Sequence, residues 1–246
     1  MSLPRFECRD VTVRYGALTA VDGVSISFGA GRIVGVLGAN GAGKTTLFKA
    51  ITGRVRPTSG SLLLDGQEVT RLPEHRRVRA GIVGTHQTPL LFGNLSVEEN
   101  VAVGARVRRL SGSELEREVS TIIDKLGLSA SRRSPASALT LYEMRTLEIA
   151  RALATAPRLL LLDESLAGIR EPEIPRMLDT VREVAETGVA IVMVEHILDV
   201  IEDGTDEVLL MDAGRLVAAE RTSRIREHEK FREVYLGTGG HARVGA

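Results

Sequence analysis

Residues 38–45 constrain the fold of this chain more than any other part of its sequence. They read GANGAGKT and match the pattern G-x-x-x-x-G-K-[ST]. An apolar run at residues 32–37 precedes them, and helical spacing follows them as far as Gly53, a residue typical of helix ends. The chain must therefore contain a buried strand, a tight glycine-rich loop and a helix in direct succession.

This loop is a candidate phosphate-binding site. Its glycines let backbone N–H groups face one anion, and the helix dipole adds to their field. Lys44 would place its charge on the outer phosphates, and the Thr45 hydroxyl can ligate Mg²⁺. The alternative is a glycine-rich turn that merely precedes a helix, which the Lys–Thr pair disfavours. The candidate nucleotide-binding residues are Gly38, Asn40, Gly41, Ala42, Gly43, Lys44, Thr45 and Thr46.

A pair of acids follows a second apolar run. Residues 159–162 are all leucine, and Asp163 and Glu164 come directly after them. Ligands of α/β proteins bind at the carboxyl ends of strands. We therefore expect Asp163 to hold Mg²⁺ and Glu164 to activate a water molecule as general base. The alternative, a solvated turn after a strand, is disfavoured by the phosphate loop in the same chain.

The order of the predicted elements indicates an α/β fold. Residues 8–15 and 23–28 alternate apolar and polar side chains, as antiparallel strands do, and residues from about 97 to 156 are mostly helical. In the last third, short apolar runs alternate with helical patterns, which is typical of parallel strands. We predict one domain over residues 1–246, with a core of residues 1–87 and 158–246 and a helical subdomain of residues 88–157 inserted into it.

Composition and the lengths of the apolar runs argue against a nucleic-acid partner and against a membrane-spanning or exported protein. Lys plus Arg equals Asp plus Glu at 32 each, aromatic residues make up 3%, and there is no Trp, so we expect no nucleic-acid partner. Cys8 is the only cysteine, which fits a reducing compartment. The apolar runs are too short to span a membrane, and the first residues do not resemble a signal peptide. We therefore expect a soluble, cytoplasmic protein.

With these motifs in place, the chain resembles the nucleotide-binding subunits of ABC transporters over nearly its full length. The resemblance implies a P-loop NTPase fold with a RecA-like core, an antiparallel β layer near the N-terminus and the inserted helical subdomain. It implies ATP and Mg²⁺ as cofactors, with Lys44, Glu164 and His196 as catalytic residues. Thr45, Gln87 and Asp163 would then be the metal-site residues.

Three of these residues depend on the resemblance for their roles. Tyr15 stands where the family places an aromatic ring against adenine; by itself it could equally be an edge-strand tyrosine. Gln87 stands at the family's Q-loop, which senses Mg²⁺ and the membrane partner, whereas a lone loop glutamine indicates nothing. His196 stands at the switch histidine that contacts the γ-phosphate; a lone histidine at a strand end is more often structural.

Several segments resemble the branched-chain amino acid subfamily in particular. They are residues 95–101, 147–155, 194–196 and 234–237. The resemblance implies an importer of amino acids or related small solutes, at the cytoplasmic face of the membrane. Its partners would be polytopic membrane subunits, a second ABC ATPase subunit and, indirectly, a solute-binding protein. Because the binding protein and the membrane subunits choose the cargo, the cargo itself stays open.

The sequence departs from the family pattern at three positions. Residues 139–143 read LTLYE where the family has approximately Leu-Ser-Gly-Gly-Gln, a segment that grips the ATP of the opposite subunit. We expect the Tyr142 ring to crowd that approach. Ser165 replaces a usual proline, and Arg170 replaces Asp or Asn in the dimer-contacting D-loop. All three positions would face the other subunit, so a heterodimer is favoured over a homodimer.

Two other interpretations of the function remain open. A soluble ABC ATPase unconnected with transport would usually carry two cassettes or a long coiled-coil insertion, and this chain has neither. A regulatory cassette with weak hydrolysis would fit the altered residues 139–143.

The apolar residues 89–92 would dock a membrane subunit, or would instead fold under the helical subdomain.

Overall fold

The computed structural model describes residues 4–233, so the resemblance at residues 234–237 lies outside the described residues. The strands of this part are β1 (Phe6–Tyr15), β2 (Leu18–Phe28), β3 (Ile33–Leu37), β4 (Ser59–Leu64), β5 (Gln67–Glu68), β6 (Ile82–Gly84), β7 (Leu159–Asp163), β8 (Ala190–Val194), β9 (Glu207–Asp212) and β10 (Arg215–Arg221). The α-helices are α1 (Lys44–Thr52), α2 (Glu74–Ala80), α3 (Val97–Arg106), α4 (Gly112–Lys125), α5 (Leu141–Leu153), α6 (Ile174–Glu186), α7 (Leu198–Gly204) and α8 (Glu229–Phe231).

Two sheets form the framework, and the predicted α/β class is confirmed. One sheet is four-stranded in the order β2-β1-β4-β5, and its pairings are antiparallel. The other is six-stranded in the order β10-β9-β3-β8-β7-β6. Its strands β9, β3, β8, β7 and β6 run parallel, and β10 pairs antiparallel at one edge. The antiparallel layer predicted near the N-terminus is the smaller sheet.

The strands of the parallel sheet divide their side chains between two hydrophobic cores. In β3, Ile33 and Leu37 belong to one core, and Val34 and Val36 belong to the other. The same alternation occurs in β7, where every residue is buried. A strand covered on both faces needs apolar residues at every position, which explains the uninterrupted apolar runs in the sequence.

The helices α3, α4 and α5 lie between β6 and β7 in the chain. Ser96 begins α3 with a reciprocal capping box to Glu99, in agreement with the acidic first turn seen in the sequence. Helices α3 and α5 approach closely at Gly104, where a side chain would not fit. A Cβ atom added to Gly104 would lie 2.2 Å from the Arg151 carbonyl oxygen. Within residues 4–233, none of the helices is long and apolar enough to cross a membrane.

A fully buried arginine stabilises the helix that follows the phosphate loop. Arg77 of α2 donates to the carbonyl oxygens of Ile51 at 2.6 Å and Thr70 at 2.8 Å. The guanidinium thereby satisfies a carbonyl near the C-terminal end of α1, where the helix dipole favours a cation. Burial lowers the pKa of Arg77 to about 10. Nearby, Cys8 is 2% exposed, and burial raises the pKa of its thiol far above the ordinary value.

Candidate functional site

The candidate site lies where the carboxyl ends of four neighbouring strands meet. The phosphate loop follows β3, Glu195 and His196 follow β8, Glu164 follows β7, and Gln87 lies in the loop after β6. Because β3, β8, β7 and β6 are adjacent in the sheet, segments that are far apart in sequence meet at one edge. Sheet order, rather than any local motif, brings the predicted residues together.

Glycine is required at two positions of the phosphate loop. Gly43 has φ +100°, and a Cβ atom there would lie 2.4 Å from the carbonyl oxygen of Ala20. Gly41 also has a positive φ, +83°, but faces open space. Residues other than glycine rarely adopt such positive φ angles. The loop is therefore held in a curled shape that leaves room above its backbone for a ligand.

Lys44 folds back over the phosphate loop. Its Nζ donates to the carbonyl oxygens of Gly38 at 2.6 Å and Ala39 at 3.1 Å, and the residue is only 6% exposed. Burial lowers the pKa of Lys44, while the carboxylates of Glu164 and Asp163 act in the opposite direction. A buried ammonium group beside a glycine loop is suited to an anionic ligand such as a phosphate.

Glu164 lies between Gln87 and His196, two of the three residues whose roles depended on the family resemblance. Its Oε2 accepts from Gln87 Nε2 at 2.6 Å, and its Oε1 lies 2.6 Å from His196 Nε2. Its backbone is in the left-handed region, with φ +49°, and its N–H donates to the Val194 carbonyl oxygen at 2.8 Å. Left-handed backbone at a residue other than glycine costs energy and is concentrated at functional sites. Glu164 is thus fixed from three sides.

Asp163 ends β7 beside Glu164 and is 9% exposed. Its N–H donates to Thr85 Oγ1 at 3.1 Å. Burial raises the pKa of Asp163, and the neighbouring Glu164 adds to this effect. A divalent cation beside the pair would relieve the unfavourable burial of negative charge, so the donor chemistry fits Mg²⁺.

The protein offers few ligands for a magnesium ion here. Among residues 4–233, no group of three or more His, Cys, Asp and Glu side chains is placed to hold a metal ion. If Asp163 and the exposed Thr45 held Mg²⁺, phosphate and water oxygens would have to complete the coordination shell. Such a sparse protein contribution is usual for Mg²⁺ bound together with a nucleotide.

A cleft of about 290 Å³ connects these groups to the surface. Its lining includes the side chains of Tyr15 and Leu18, which are 47% and 65% exposed. It also includes the phosphate loop, Glu164 and His196. Seven predicted binding residues line the cleft beside Tyr15: Asn40, Gly41, Ala42, Gly43, Lys44, Thr45 and Thr46. Three further predicted residues contact this lining. Gly38 accepts a hydrogen bond from Lys44, Gln87 donates one to Glu164, and Asp163 directly precedes Glu164 in the chain.

Sequence reasoning missed several residues of this region. Leu18, which pairs with Tyr15 across β1 and β2, lines the cleft, and only the hairpin register could have indicated it. Glu195 is 3% exposed and accepts from the Leu166 N–H at 3.0 Å. Burial raises the pKa of Glu195 to about 7, and the nearby Glu164 contributes. The sequence shows an acid next to His196, but it gives no sign that this acid is buried.

The expectation for Tyr142 was wrong. The residue is 8% exposed and packs in the larger core, with the Arg176 guanidinium 5.2 Å from its ring centre. The ring therefore points into its own chain and does not crowd an approaching subunit. Its neighbour Leu141 is the exposed apolar residue of the segment, at 38%.

Ser165 also does not face outward, contrary to expectation. It is 2% exposed, and its Oγ lies 3.1 Å from Thr85 Oγ1. Arg170, in contrast, is at the surface, where its guanidinium pairs with Glu173 at 2.7 Å. Of Tyr142, Ser165 and Arg170, only Arg170 has its side chain exposed.

The first turn of α5 satisfies its own polar groups. Thr140 is the N-cap, and its N–H and Oγ1 both donate to Glu143 Oε2 at 2.9 Å. Ser131 donates to the other carboxylate oxygen at 2.5 Å. These hydrogen bonds lower the pKa of Glu143, with that from Ser131 the largest contribution. An ionised carboxylate thus already lies at this helix start.

Comparison with known proteins gives one consistent family. Residues 21–167, more than half of the chain, match the family model described as "ABC transporter". The chain is 32% identical to the high-affinity branched-chain amino acid transport ATP-binding protein BraF of Pseudomonas aeruginosa, covering 96% of this chain and 99% of BraF. It is also 31% identical to the lipopolysaccharide export system ATP-binding protein LptB of Haemophilus influenzae, over 91% and 93% of the two chains.

A solved structure extends this likeness to three dimensions. The crystal structure of MJ1267, an ATP-binding cassette of an ABC transporter in its ADP conformation, superposes with a TM-score of 0.85. The two chains are 27% identical, and the match covers 96% of this chain and 99% of the other. The arrangement of two sheets and inserted helices is therefore shared over nearly the whole of both chains.

Proposed function

This chain belongs to the ABC transporter family as an ATP-binding, ATP-hydrolysing subunit, and we propose that Glu164 is the base of its hydrolytic site. One observation carries the proposal: the Glu164 carboxylate lies between Gln87 and His196 at the mouth of the phosphate loop. A carboxylate positioned there can take a proton from a water molecule that attacks a terminal phosphate.

The cleft suggests how ATP is oriented. Tyr15 and Leu18 offer an aromatic and an apolar surface for the base, and the loop N–H groups with Lys44 offer charge for the phosphates. Thr45 and Asp163 are the side chains that would hold Mg²⁺, with Gln87 next to them. Mg²⁺ held there would supply positive charge that offsets the charge of the phosphate groups.

The contacts of Glu164 bear on how it would act. Each of its carboxylate oxygens has one partner, Gln87 for one and His196 for the other. Each oxygen keeps a further lone pair for a water molecule, and loss of one partner would make that oxygen a better acceptor. The His196 side chain is 44% exposed and is free to turn towards a γ-phosphate, which would leave Glu164 Oε1 to the water. We infer that this exchange readies the site for hydrolysis.

We further infer that a membrane subunit docks on the groove beside the Gln87 loop. This groove, of about 450 Å³, is lined by Leu90, Leu91, Phe92, Val103, Gly104 and Val107, among others. Leu90 is 54% and Phe92 48% exposed, so these two side chains do not fold under the helices. Exposed apolar side chains around a concave surface favour coverage by a partner. The chain would then work peripherally at a membrane, with residues 88–157 as its helical subdomain.

For the transported solute we propose a chemical class and no particular compound. Likeness to BraF favours import of amino acids or related small solutes through a complex that also uses a solute-binding protein. LptB, a lipopolysaccharide export protein, is similar at nearly the same identity, so the proposal extends to no particular cargo. For the second cassette of the dimer we propose a different chain, because the capped start of α5 is a poor partner for another subunit's phosphate.

The experiment is ATP binding and hydrolysis by the full chain with Lys44→Ala. Loss of the loop ammonium should abolish binding or reduce hydrolysis severely, while the thermal midpoint stays near that of the parent. Lys125→Ala is the matched control, because Lys125 is an exposed lysine in the last turn of α4. Unchanged ATPase activity of the Lys44 variant in its assembled complex would rule out the assignment.

A further inference from the structure

Two buried charged residues of α5 hold the backbone of the Gln87 loop. Arg145 Nη1 donates to the His86 carbonyl oxygen at 2.9 Å, and its Nη2 donates to the Gln87 carbonyl oxygen at 2.6 Å. The His86 N–H donates to Glu148 Oε1 at 3.0 Å. Three hydrogen bonds from one turn of helix therefore restrain three consecutive peptide units, those on either side of His86 and the one after Gln87.

The pair is not built as a simple ion pair. Arg145 is 3% and Glu148 2% exposed, but Arg145 Nη1 and Glu148 Oε2 are 3.6 Å apart, beyond hydrogen-bond distance. Burying two charges is costly, and well-packed apolar residues often serve stability as well or better. Each charged group instead directs its best hydrogen bonds at the loop. This geometry is explained by a need to fix the loop rather than by stability of α5.

Fixing the loop fixes the side chain that reaches the hydrolytic site. Gln87 Nε2 donates to Glu164 Oε2 at 2.6 Å, so its backbone position determines where Glu164 is held. We propose that Arg145 and Glu148 are positioning residues that act through Gln87 on Glu164. This inference rests on the proposed role of Glu164 as the base.

The same junction is incompletely bonded. Four buried side-chain polar atoms without a hydrogen-bond partner occur in the described part of the chain, and three of them are His86 Nδ1, Arg145 Nε and Glu148 Oε2. Buried polar groups without a partner are few in native proteins, so three at one junction call for an explanation. Glu148 also lines the groove proposed for docking. A partner in that groove would therefore contact the residue that positions Gln87.

The test combines hydrogen exchange with steady-state kinetics on the full chain. In Arg145→Lys, one ammonium cannot reproduce the guanidinium fork, and in Glu148→Ala the acceptor for the His86 N–H is lost. Both variants should speed amide exchange in the peptide that contains His86 and Gln87. Both should lower kcat by about 10²-fold, the scale of a misplaced catalytic group, with little change in the KM for ATP. Glu148→Gln keeps an acceptor oxygen and should restore both readouts.

Arg77→Lys is the matched control. Arg77 is likewise buried and donates to backbone carbonyl oxygens, but it lies under α1 and not at the Gln87 loop. It should lower the thermal midpoint and leave kcat and the exchange of His86 and Gln87 unchanged. The proposal is overturned if Arg145→Lys and Glu148→Ala leave kcat and exchange unchanged. It is equally overturned if kcat falls in proportion to thermal stability in all variants, Arg77→Lys included.

The kinetic and exchange readouts keep this inference separate from the proposed function. If Glu164→Gln hydrolyses ATP normally, the base is misassigned, yet faster exchange in Glu148→Ala would still show the loop contact. If Glu164→Gln is inactive while the Arg145 and Glu148 variants are fully active, the base stands and the positioning role is wrong.

Discussion

The carboxyl edge of the parallel sheet and the first turn of α5 both collect polar groups, but they use them in opposite ways. At the sheet edge, Glu164 has a left-handed backbone and Lys44 is buried next to acids, so the arrangement costs stability. At α5, Thr140, Glu143 and Ser131 satisfy one another, and Tyr142 packs in the core. The first region is poised to bind a ligand, whereas the second is closed on itself.

This contrast gives a rule that can be tested. Substitutions at the sheet edge should alter activity more than stability. Substitutions at the start of α5 should alter stability more than activity at the chain's own site.

The largest effect is expected from Glu164→Gln. The amide keeps the shape of the side chain and its contact with Gln87 but cannot accept a proton, so hydrolysis should fall by about 10²–10⁴-fold. ATP binding, measured by equilibrium titration, should persist, and the thermal midpoint should not fall. Near-normal turnover in an assembly without a second competent ATPase would contradict the role of Glu164.

The next effect concerns Tyr142. Because its ring is buried against the core and Arg176, Tyr142→Ala should lower the free energy of unfolding by about 3–5 kcal/mol, as truncation of a buried aromatic residue does. Tyr142→Phe keeps the ring and is the control, with a much smaller loss. Chemical denaturation checks both. If Tyr142→Gly instead raised turnover at a partner's site without loss of stability, α5 would be a catalytic surface and the contrast would fail.

A smaller effect should appear in the pH dependence of stability. Burial, with Glu164 and Asp163, raises the folded-state pKa of Glu195 to about 7, and Arg145 opposes the shift. An acid with a raised folded-state pKa stabilises fully below its unfolded pKa and loses that contribution as pH rises through the folded value. The unfolding free energy should therefore decline from about pH 4.5 to pH 7, by roughly 3 kcal/mol at most.

Glu195→Gln provides the check on this decline. The amide can still accept from the Leu166 N–H but cannot ionise, so the variant should lose this part of the pH dependence and be the more stable protein at pH 8. Urea denaturation at several pH values, without nucleotide, measures the difference. Parallel pH profiles for the two proteins would mean that Glu195 does not supply the decline.

Much of the fold could be predicted because its signals are local. The strands β3 and β7 lie within one residue of the apolar runs at residues 32–37 and 159–162. The strand β10 and the helices α2 and α7 were not predicted. Each of these two helices spans only seven residues, and α2, with the sequence EHRRVRA, is held largely by the buried contacts of Arg77, which no periodic pattern indicates.

The candidate site divides along the same line. The phosphate loop and Asp163–Glu164 could be identified because each is contiguous in sequence. The meeting of Gln87, Glu164 and His196 depends on sheet order, and only family resemblance suggested it. The burial of Tyr142 depends on Arg176, which comes from another helix. Contacts between distant segments are a property of packing, so comparison with the family pattern at residues 139–143 gave the wrong orientation of the ring.

Cys8 makes this protein convenient for site-specific labelling. Thiol reagents attack the thiolate, and Cys8 is both 2% exposed and kept protonated by the raised pKa that burial causes. A folded sample should therefore react with maleimide dyes as slowly as a chain without cysteine. One cysteine placed at an exposed apolar position such as Ile197 would carry the label, and its fluorescence would report on its surroundings in an otherwise native sequence.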